Sequence, residues 1–420
     1  MAQPQVTTRD PASATSARSR YQGVARWINR QPAFRALGAA QRTVVFTAQM
    51  ALRRIRGSTA DIPVAALSPG FVLQAAMDEA LLALAMGPNR FPRRADYNRV
   101  GTELAEMRDL FDRRGWSAQP RSYHRDPPPL ESPAESKGWA LGLAYSRIRF
   151  PSGYEPRADE PGAQRWSSYT ANRTATAAVL RHPGAPRPWV VAIHGFGMGV
   201  PFMDFVGLQA AKLHRDLGVN VVLPVLPMHG PRRLSRVGGE QFLGFDLVNT
   251  VHGFAQSVWD IRRIIGWVRA RGAPSIGLYG VSLGGYTAAL VAGIEPDLAC
   301  VVAGIPVADL PALFHAHSPI HVRIRSIEHA ILGGNAEAVH RVVSPLALDP
   351  QVPREQRFIY AGLGDRLARP AQARMLWSHW EEPSIEWFAG NHVGYLWAPA
   401  VRRYLLESLT SSGVEGLTTS

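Results

Sequence analysis

A chain of 420 residues and 45.9 kDa is too long for one small domain and too short for three. Its 46% apolar and 19% charged residues describe a protein that buries a large core and exclude general disorder. The net charge of +13 is concentrated: residues 1–60 hold ten arginines and one acid, Asp10, so the rest is nearly balanced and offers no electrostatic ground for binding nucleic acid.

Residues 1–20 are rich in Ser, Thr, Ala, Gln and Pro and read as a disordered basic tail. They lack the apolar core of a secretory signal; their Arg- and Ser-rich, acid-poor composition is that of an organelle transit peptide. A helical region is expected over 21–117. Val24, Trp27, Ile28, Phe34, Leu37, Val44, Val45, Met50, Leu52 and Ile55 recur at helical spacing, and Pro32 divides them between two helices. Ser68-Pro69 is a cap followed by a first-turn proline and predicts a third helix to about Met86, stopped by Gly87-Pro88. Asp78 and Glu79 break its apolar run, so no stretch is long enough for a transmembrane helix. A fourth helix runs from about Asp96 to Arg113, with Leu104, Met107, Leu110 and Phe111 on one face. The basic arm has two uses open to it. It can dock its apolar side on the protein and leave its arginines in water, the preferred reading, or lie on an anionic membrane surface. Either way, the chemistry is not expected to depend on it. Residues 118–138, with Pro127, Pro128 and Pro129, read as an extended, solvated linker.

From residue 139 the pattern becomes short β runs separated by helices. Strands are predicted at Tyr145 to Phe150, Thr174 to Leu180, Trp189 to His194, Val219 to Pro224, Ser275 to Tyr279, Leu298 to Ile305, Phe358 to Ala361 and Ile385 to Phe388. Helices are predicted at Val206 to Leu217, Val251 to Arg271, Gly284 to Ile294 and Ala371 to Trp380. This alternation predicts an α/β domain over 139–409, a mostly parallel sheet with helices on both faces, and a flexible tail over 410–420. Cys300 is the only cysteine, which excludes an intramolecular disulfide and a cysteine metal cage; its apolar surroundings predict a buried thiol.

Two glycine-rich turns follow predicted strands. Gly280-Val281-Ser282-Leu283-Gly284 joins the strand ending at Tyr279 to a small-residue helix. A sharp strand-to-helix turn strains the serine, and glycines on either side remove the collisions that side chains would make. The serine then sits at the positive end of a helix. Upstream, His194-Gly195-Phe196-Gly197-Met198-Gly199 follows the strand Trp189 to His194. It lacks the final spacing of a dinucleotide loop, and no acid ends the following strand.

With these two turns the chain resembles the α/β-hydrolase superfamily over 139–409. The resemblance implies the α/β-hydrolase fold, Ser282 as nucleophile, and the backbone N–H groups of Phe196 and Leu283 as an oxyanion hole. It also implies an acid and a histidine later in the chain, in that order. Asp365, after the strand Phe358 to Ala361, and His392, after Ile385 to Phe388, fit; both follow carboxyl ends of strands, where side chains converge on one crevice. Asp309 is the rival acid, and Asp297 is disfavoured because it precedes a strand. Met198, Phe202, Met203, Phe205 and Met228 read equally as an acyl pocket or as core. His194, Gly195, Gly197 and His229 are expected at the pocket. His315, His317 and His321 read as solvated or structural rather than metal-binding, within a helical cap over 310–345.

The expected function is a serine hydrolase cleaving a carboxylic ester through an acyl-enzyme intermediate, with no cofactor and no metal. Its partner would be a small, apolar acyl substrate; it would be cytoplasmic, with peripheral membrane contact through the arm as the variant. A peptidase or acyltransferase of the same fold, and a non-catalytic hydrolase-like binding module, stay open. The oligomeric state is not readable from these signals.

Overall fold

The structure, a computed structural model, describes residues 32–56, 61–85 and 92–416. The expected tail 1–20, the stretch 21–31 with Trp27 and Ile28, the Gly87-Pro88 stop and residues 417–420 lie outside them.

Three helices come first: α1 (Pro32–Arg56), α2 (Pro69–Ala85) and α3 (Arg94–Arg113). Helix α2 starts as predicted, with the Ser68 hydroxyl accepting the Phe71 N–H at 3.1 Å. Helix α3 buries the expected face of Leu104, Met107, Leu110 and Phe111. Then follow β1 (Ala134–Ala140), β2 (Leu143–Pro151), β3 (Thr174–Leu180), β4 (Trp189–Ile193), α4 (Pro201–Gly207), α5 (Ala210–Asp216), β5 (Asn220–Pro224), α6 (Leu247–Arg269), β6 (Ile276–Val281), α7 (Leu283–Ala292) and β7 (Cys300–Gly304). The chain continues through α8 (Leu310–His317), α9 (Ile320–Glu328), α10 (Gly334–His340), β8 (Arg357–Gly362), α11 (Pro370–His379), β9 (Ser384–Phe388) and α12 (Pro399–Ser411).

The nine strands form one sheet in the order β1-β2-β3-β5-β4-β6-β7-β8-β9. The first three pair antiparallel, as does β3 with β5, and from β5 to β9 all pairings are parallel. Strands β4, β5, β6, β7 and β8 are buried along their whole length, because apolar runs without alternation need cover on both faces. Two large apolar clusters supply that cover, one on each side of the sheet: one is built around α6, α7 and α3, the other around α5 and α12. This is the α/β-hydrolase architecture with a helical extension and a cap insertion.

Several segments depart from expectation. Residues 118–138 are mostly exposed, as expected, but they are anchored along the domain and are not a free linker. Tyr123 and Leu130 are buried, the Arg263 guanidinium donates to the carbonyls of Pro128 (3.1 Å) and Pro129 (3.3 Å), and β1 begins at Ala134. That strand escapes a pattern search because it is an exposed edge with no alternation, held by its hairpin with β2. The predicted helix Val206 to Leu217 is two helices, since the Gly207 carbonyl is taken by the Tyr395 hydroxyl (2.9 Å) and Gln209 turns left-handed at φ 51°. Residues 410–416 are no free tail: Val414 is fully buried and the Gly416 N–H donates to Leu217 O at 2.7 Å.

The arm docks, as preferred, but not by its whole apolar side. Helix α1 buries Ala39, Phe46 and Met50 against α2 and Leu363, while Leu37, Val44, Val45, Leu52 and Ile55 stay exposed on the opposite side.

Candidate active site

Ser282 sits between β6 and α7 at φ 56° and ψ −115°, a conformation that L residues adopt only under constraint. The flanking glycines explain how the turn is tolerated. A Cβ at Gly280 would lie 2.0 Å from Gly284 O, and one at Gly284 would lie 2.0 Å from Ile193 O. Only hydrogen fits at either place, so the turn closes against its own helix and against β4 at once.

Beside it, His392 follows β9 and Asp365 follows β8. The Ser282 hydroxyl and His392 Nε2 are 2.9 Å apart, and His392 Nδ1 is 2.7 Å from Asp365 Oδ2. An ionised carboxylate only accepts, so Nδ1 carries the proton and Nε2 is left to accept from the serine. Asp365 Oδ1 is held in turn by the N–H groups of Leu367 and Ala368, both at 2.8 Å. Burial disfavours the imidazolium of His392, but the Asp365 carboxylate and the charge of Asp78 outweigh it, so the net shift is upward. Asp309 does not compete for the acid's place: it caps α8, accepting the Ala312 N–H at 2.9 Å.

The Gly195-Phe196 turn abuts the elbow: a Cβ on Gly195 would lie 3.5 Å from Ser282 Cβ. Among the described residues, the N–H groups of Phe196 and Leu283 have no hydrogen-bond partner in the protein, which leaves both available to a ligand. The serine, Gly195, Phe196, Met198 and Leu283 open on one cavity of about 920 Å³. Its walls include Phe202, Met203 and Val206, Phe245 and Leu247, and the cap residues Leu313, Phe314, Val322, Ile331 and Leu332. Glu240 is the one lining residue with a fixed charge.

The other residues expected at the pocket lie behind it. His194, Gly197, Met228 and His229 do not line the cavity. His194 is buried, with Nδ1 bonded to Gly195 O (2.8 Å) and Nε2 accepting the Leu226 N–H (3.1 Å), so it shapes the turn rather than touching a ligand. His229 packs edge-on to His194 and Phe242. Burial pushes both imidazoles down, which keeps them neutral. Phe205 is core, packed on Tyr145. Of the cap histidines, His317 lines the cavity and bonds to Leu367 O at 2.8 Å; no cluster fit for a metal occurs among the described residues.

What sequence reasoning missed is α2. Asp78 and Glu79 looked like interruptions, yet both are buried, and Asp78 touches the loops of the acid and of the histidine. Leu81 and Leu82 line the cavity. The signal was available: two acids share the helix face of the buried Phe71 and Ala75. The N-terminal region therefore does not stand apart from the site.

Ser282, Asp365 and His392 follow in that order, each past the carboxyl end of a parallel strand of one sheet, with the serine on a strained elbow. This is the arrangement of the α/β-hydrolase fold. The chain belongs to a family that includes two Mycobacterium tuberculosis proteins, the uncharacterized protein Rv2627c of strain ATCC 25618 / H37Rv and the uncharacterized protein MT2702 of strain CDC 1551 / Oshkosh. Each is 41% identical over 382 residues, covering 90% of this chain and 91% of the relative. No family model matches the chain. Among solved structures, acetyl xylan esterase 1 from Thermoanaerobacterium sp. JW/SL YS485 overlaps 71% of this chain and 93% of its own at 15% identity and a TM-score of 0.48. The Pyrococcus horikoshii acylaminoacyl peptidase overlaps 69% of this chain at 16% identity and a TM-score of 0.42; this chain spans only 43% of that peptidase. Strand order and elbow, not these overlaps, fix the fold.

Proposed function

We propose that this protein is a serine hydrolase that cleaves a carboxylic ester with an apolar acyl group. The observation that carries the reading is the chain of contacts Asp365–His392–Ser282, at 2.7 and 2.9 Å, opening on an apolar cavity of about 920 Å³. In the proposed reaction the Ser282 oxygen attacks the ester carbonyl while His392 Nε2 takes the hydroxyl proton. The carbonyl oxygen becomes an oxyanion held by the N–H groups of Phe196 and Leu283. The C–O bond to the alcohol breaks, and the alkoxide leaves with the proton from His392. Water, deprotonated by the same imidazole, then attacks the acyl-enzyme and releases the acid, returning Ser282 to its starting state. Asp365 holds the ring tautomer and stabilises the imidazolium. The apolar lining supports a hydrocarbon acyl chain over a charged or sugar substrate.

The test pairs fluorophosphonate labelling with p-nitrophenyl esters of graded chain length. Wild type should label and turn over, with a preference for longer acyl groups, and Ser282→Ala should do neither. Labelling that persists in Ser282→Ala overturns the nucleophile assignment. Faster turnover of aminoacyl amides than of any ester would move the substrate class to a peptidase.

A further inference from the structure

Helix α2 enters the protein with a carboxylate at each of two successive positions, Asp78 and Glu79, both with essentially no exposure. Glu79 is matched by two arginines, Arg42 (2.6 Å) and Arg366 (2.9 Å). Asp78 has no such cation against it. Its Oδ2 accepts two backbone N–H groups, from Arg366 at 2.9 Å and from His392 at 3.0 Å; its Oδ1 accepts the Asn391 amide at 3.0 Å. Arg366 directly follows Asp365. One carboxylate thus grips the loop that carries the acid and the loop that carries the base, mainly through backbone N–H groups. Gln74, one turn earlier, adds two bonds to Asn391, from the amide to its carbonyl (2.9 Å) and from the N–H to its side chain (3.2 Å).

A buried carboxylate without a cation is an expensive way to dock a helix. An apolar side chain would dock α2 as well, as Phe71 and Ala75 do on the same face. Burial, and then the neighbouring Asp365 charge, push the Asp78 carboxyl up to about 6. Apolar docking would bring no such cost, and three donors converging from the two loops partly offset it by favouring the carboxylate.

We propose that Asp78 is a positioning residue of the active site: it locks the Asp365 and His392 loops at the separation their hydrogen bond requires and sets a second negative charge beside the His392 ring. The inference rests on the serine-hydrolase reading above. Asp78 touches no reacting atom. It acts through the two loops, by fixing where the imidazole stands relative to Ser282 and by favouring the imidazolium that forms when the serine gives up its proton. The titratable and charged groups around it are Asp365 and His392 from the two loops, Arg366 beside Asp365, and Glu79 with Arg42 on the α1 side. Of these, Glu79 and the arginines satisfy one another.

The experiment uses the full chain and a p-nitrophenyl ester that wild type cleaves and Ser282→Ala does not. If wild type is inactive, or Ser282→Ala is active, the serine-hydrolase reading fails first and Asp78 loses its role with it. With that control passed, Asp78→Asn keeps size and removes charge. It should lower kcat by about tenfold or more, since a misplacement of ~1 Å costs on the order of 10²-fold, while KM stays within about twofold because Asp78 does not line the cavity. The acidic limb of kcat/KM should move to lower pH, because the charge that favours protonated His392 is gone. Asp78→Glu, which restores the charge, should recover the wild-type limb at least in part. A folded Asp78→Asn protein with wild-type kcat and an unmoved limb would overturn the proposal and leave Asp78 as a helix-docking group. Loss of folding in both variants would overturn it as well, since positioning predicts a folded protein with slow chemistry.

Discussion

The elbow offers a perturbation whose size can be read from distances. Alanine at position 284 would place its Cβ 2.0 Å from Ile193 O, 2.6 Å from Ile193 C and 2.7 Å from His194 O. All three are backbone atoms, so no side-chain rotation relieves the clash. To reach the 3.4 Å of ordinary contact with Ile193 O, the start of α7 or the end of β4 must retreat by about 1.4 Å. Each of those segments carries one candidate oxyanion donor: Leu283 opens α7, and β4 runs into Phe196. A retreat of that size separates the donors from the carbon that Ser282 attacks. Misplacement by ~1 Å costs on the order of 10²-fold in rate, and losing one oxyanion donor costs about 10²–10³-fold. Gly284→Ala should therefore lower kcat/KM for an ester by about 10²-fold or more and, as an overpacked core, lose ~1–3 kcal/mol of stability. Gly266→Ala is the internal control. That glycine lies on an exposed face of α6 with nothing within 4 Å of its Cβ position, so the same substitution should be silent for activity and add ~0.5–1 kcal/mol of stability. Steady-state hydrolysis, fluorophosphonate labelling rate and thermal unfolding of both variants check the pair. If Gly284→Ala hydrolyses within threefold of wild type, the steric account of the elbow is wrong.

Two further outcomes follow from burial and charge. His392 must be neutral to take the serine proton, and its pKa is raised above the usual imidazole value, so activity should rise with pH through a value above that of a free histidine; a pH profile of kcat/KM with its limb at or below the ordinary value contradicts this. Burial pushes the Cys300 thiol up to about 12, so the native protein should be inert to Ellman's reagent at pH 8 and react with one equivalent only when unfolded; fast reaction of the native protein would refute the burial argument.

What the sequence made legible, it did through local repetition. The apolar runs of β4, β6, β7 and β8 lack alternation because both sheet faces are covered, and that is visible in five or six letters. Ser282 was legible because its turn needs glycine at both flanks for reasons confined to nearby atoms. Asp365 and His392 could be placed by strand ends and chain order, although only the fold sets them 2.7 Å apart. The hidden parts depend on distant partners. No pattern in 118–138 reveals that Arg262 and Arg263 of α6 hold that segment by Asp126 and by proline carbonyls. His194 directly precedes the Gly195-Phe196 turn and His229 follows β5, but β4 and the loop after β5 turn their rings toward the core. Which side of a strand end faces the cavity is decided by the sheet's twist and the cap above it.

The same distinction explains why the basic arm reads as an appendage in the sequence. Counting charge by position separates an arginine-rich beginning from a balanced remainder and suggests an appendage. The contacts run the other way. Arg42 of α1 pairs with Glu79 of α2, which pairs with Arg366 beside the candidate acid. Part of the basic excess is therefore paired within the protein, where Arg42 shares a buried carboxylate with Arg366. Without α2, the N–H groups of Arg366 and His392 would lose their acceptor, and the cavity would lose its Leu81–Leu82 wall. Each buried donor left unpaired costs ~1–3 kcal/mol, so the loops of Asp365 and His392 would not hold their present geometry but would move to find other partners or water. The helical extension and the hydrolase-fold domain are for this reason one unit at the candidate active site, and α2 borders its cavity as the loops after β8 and β9 do.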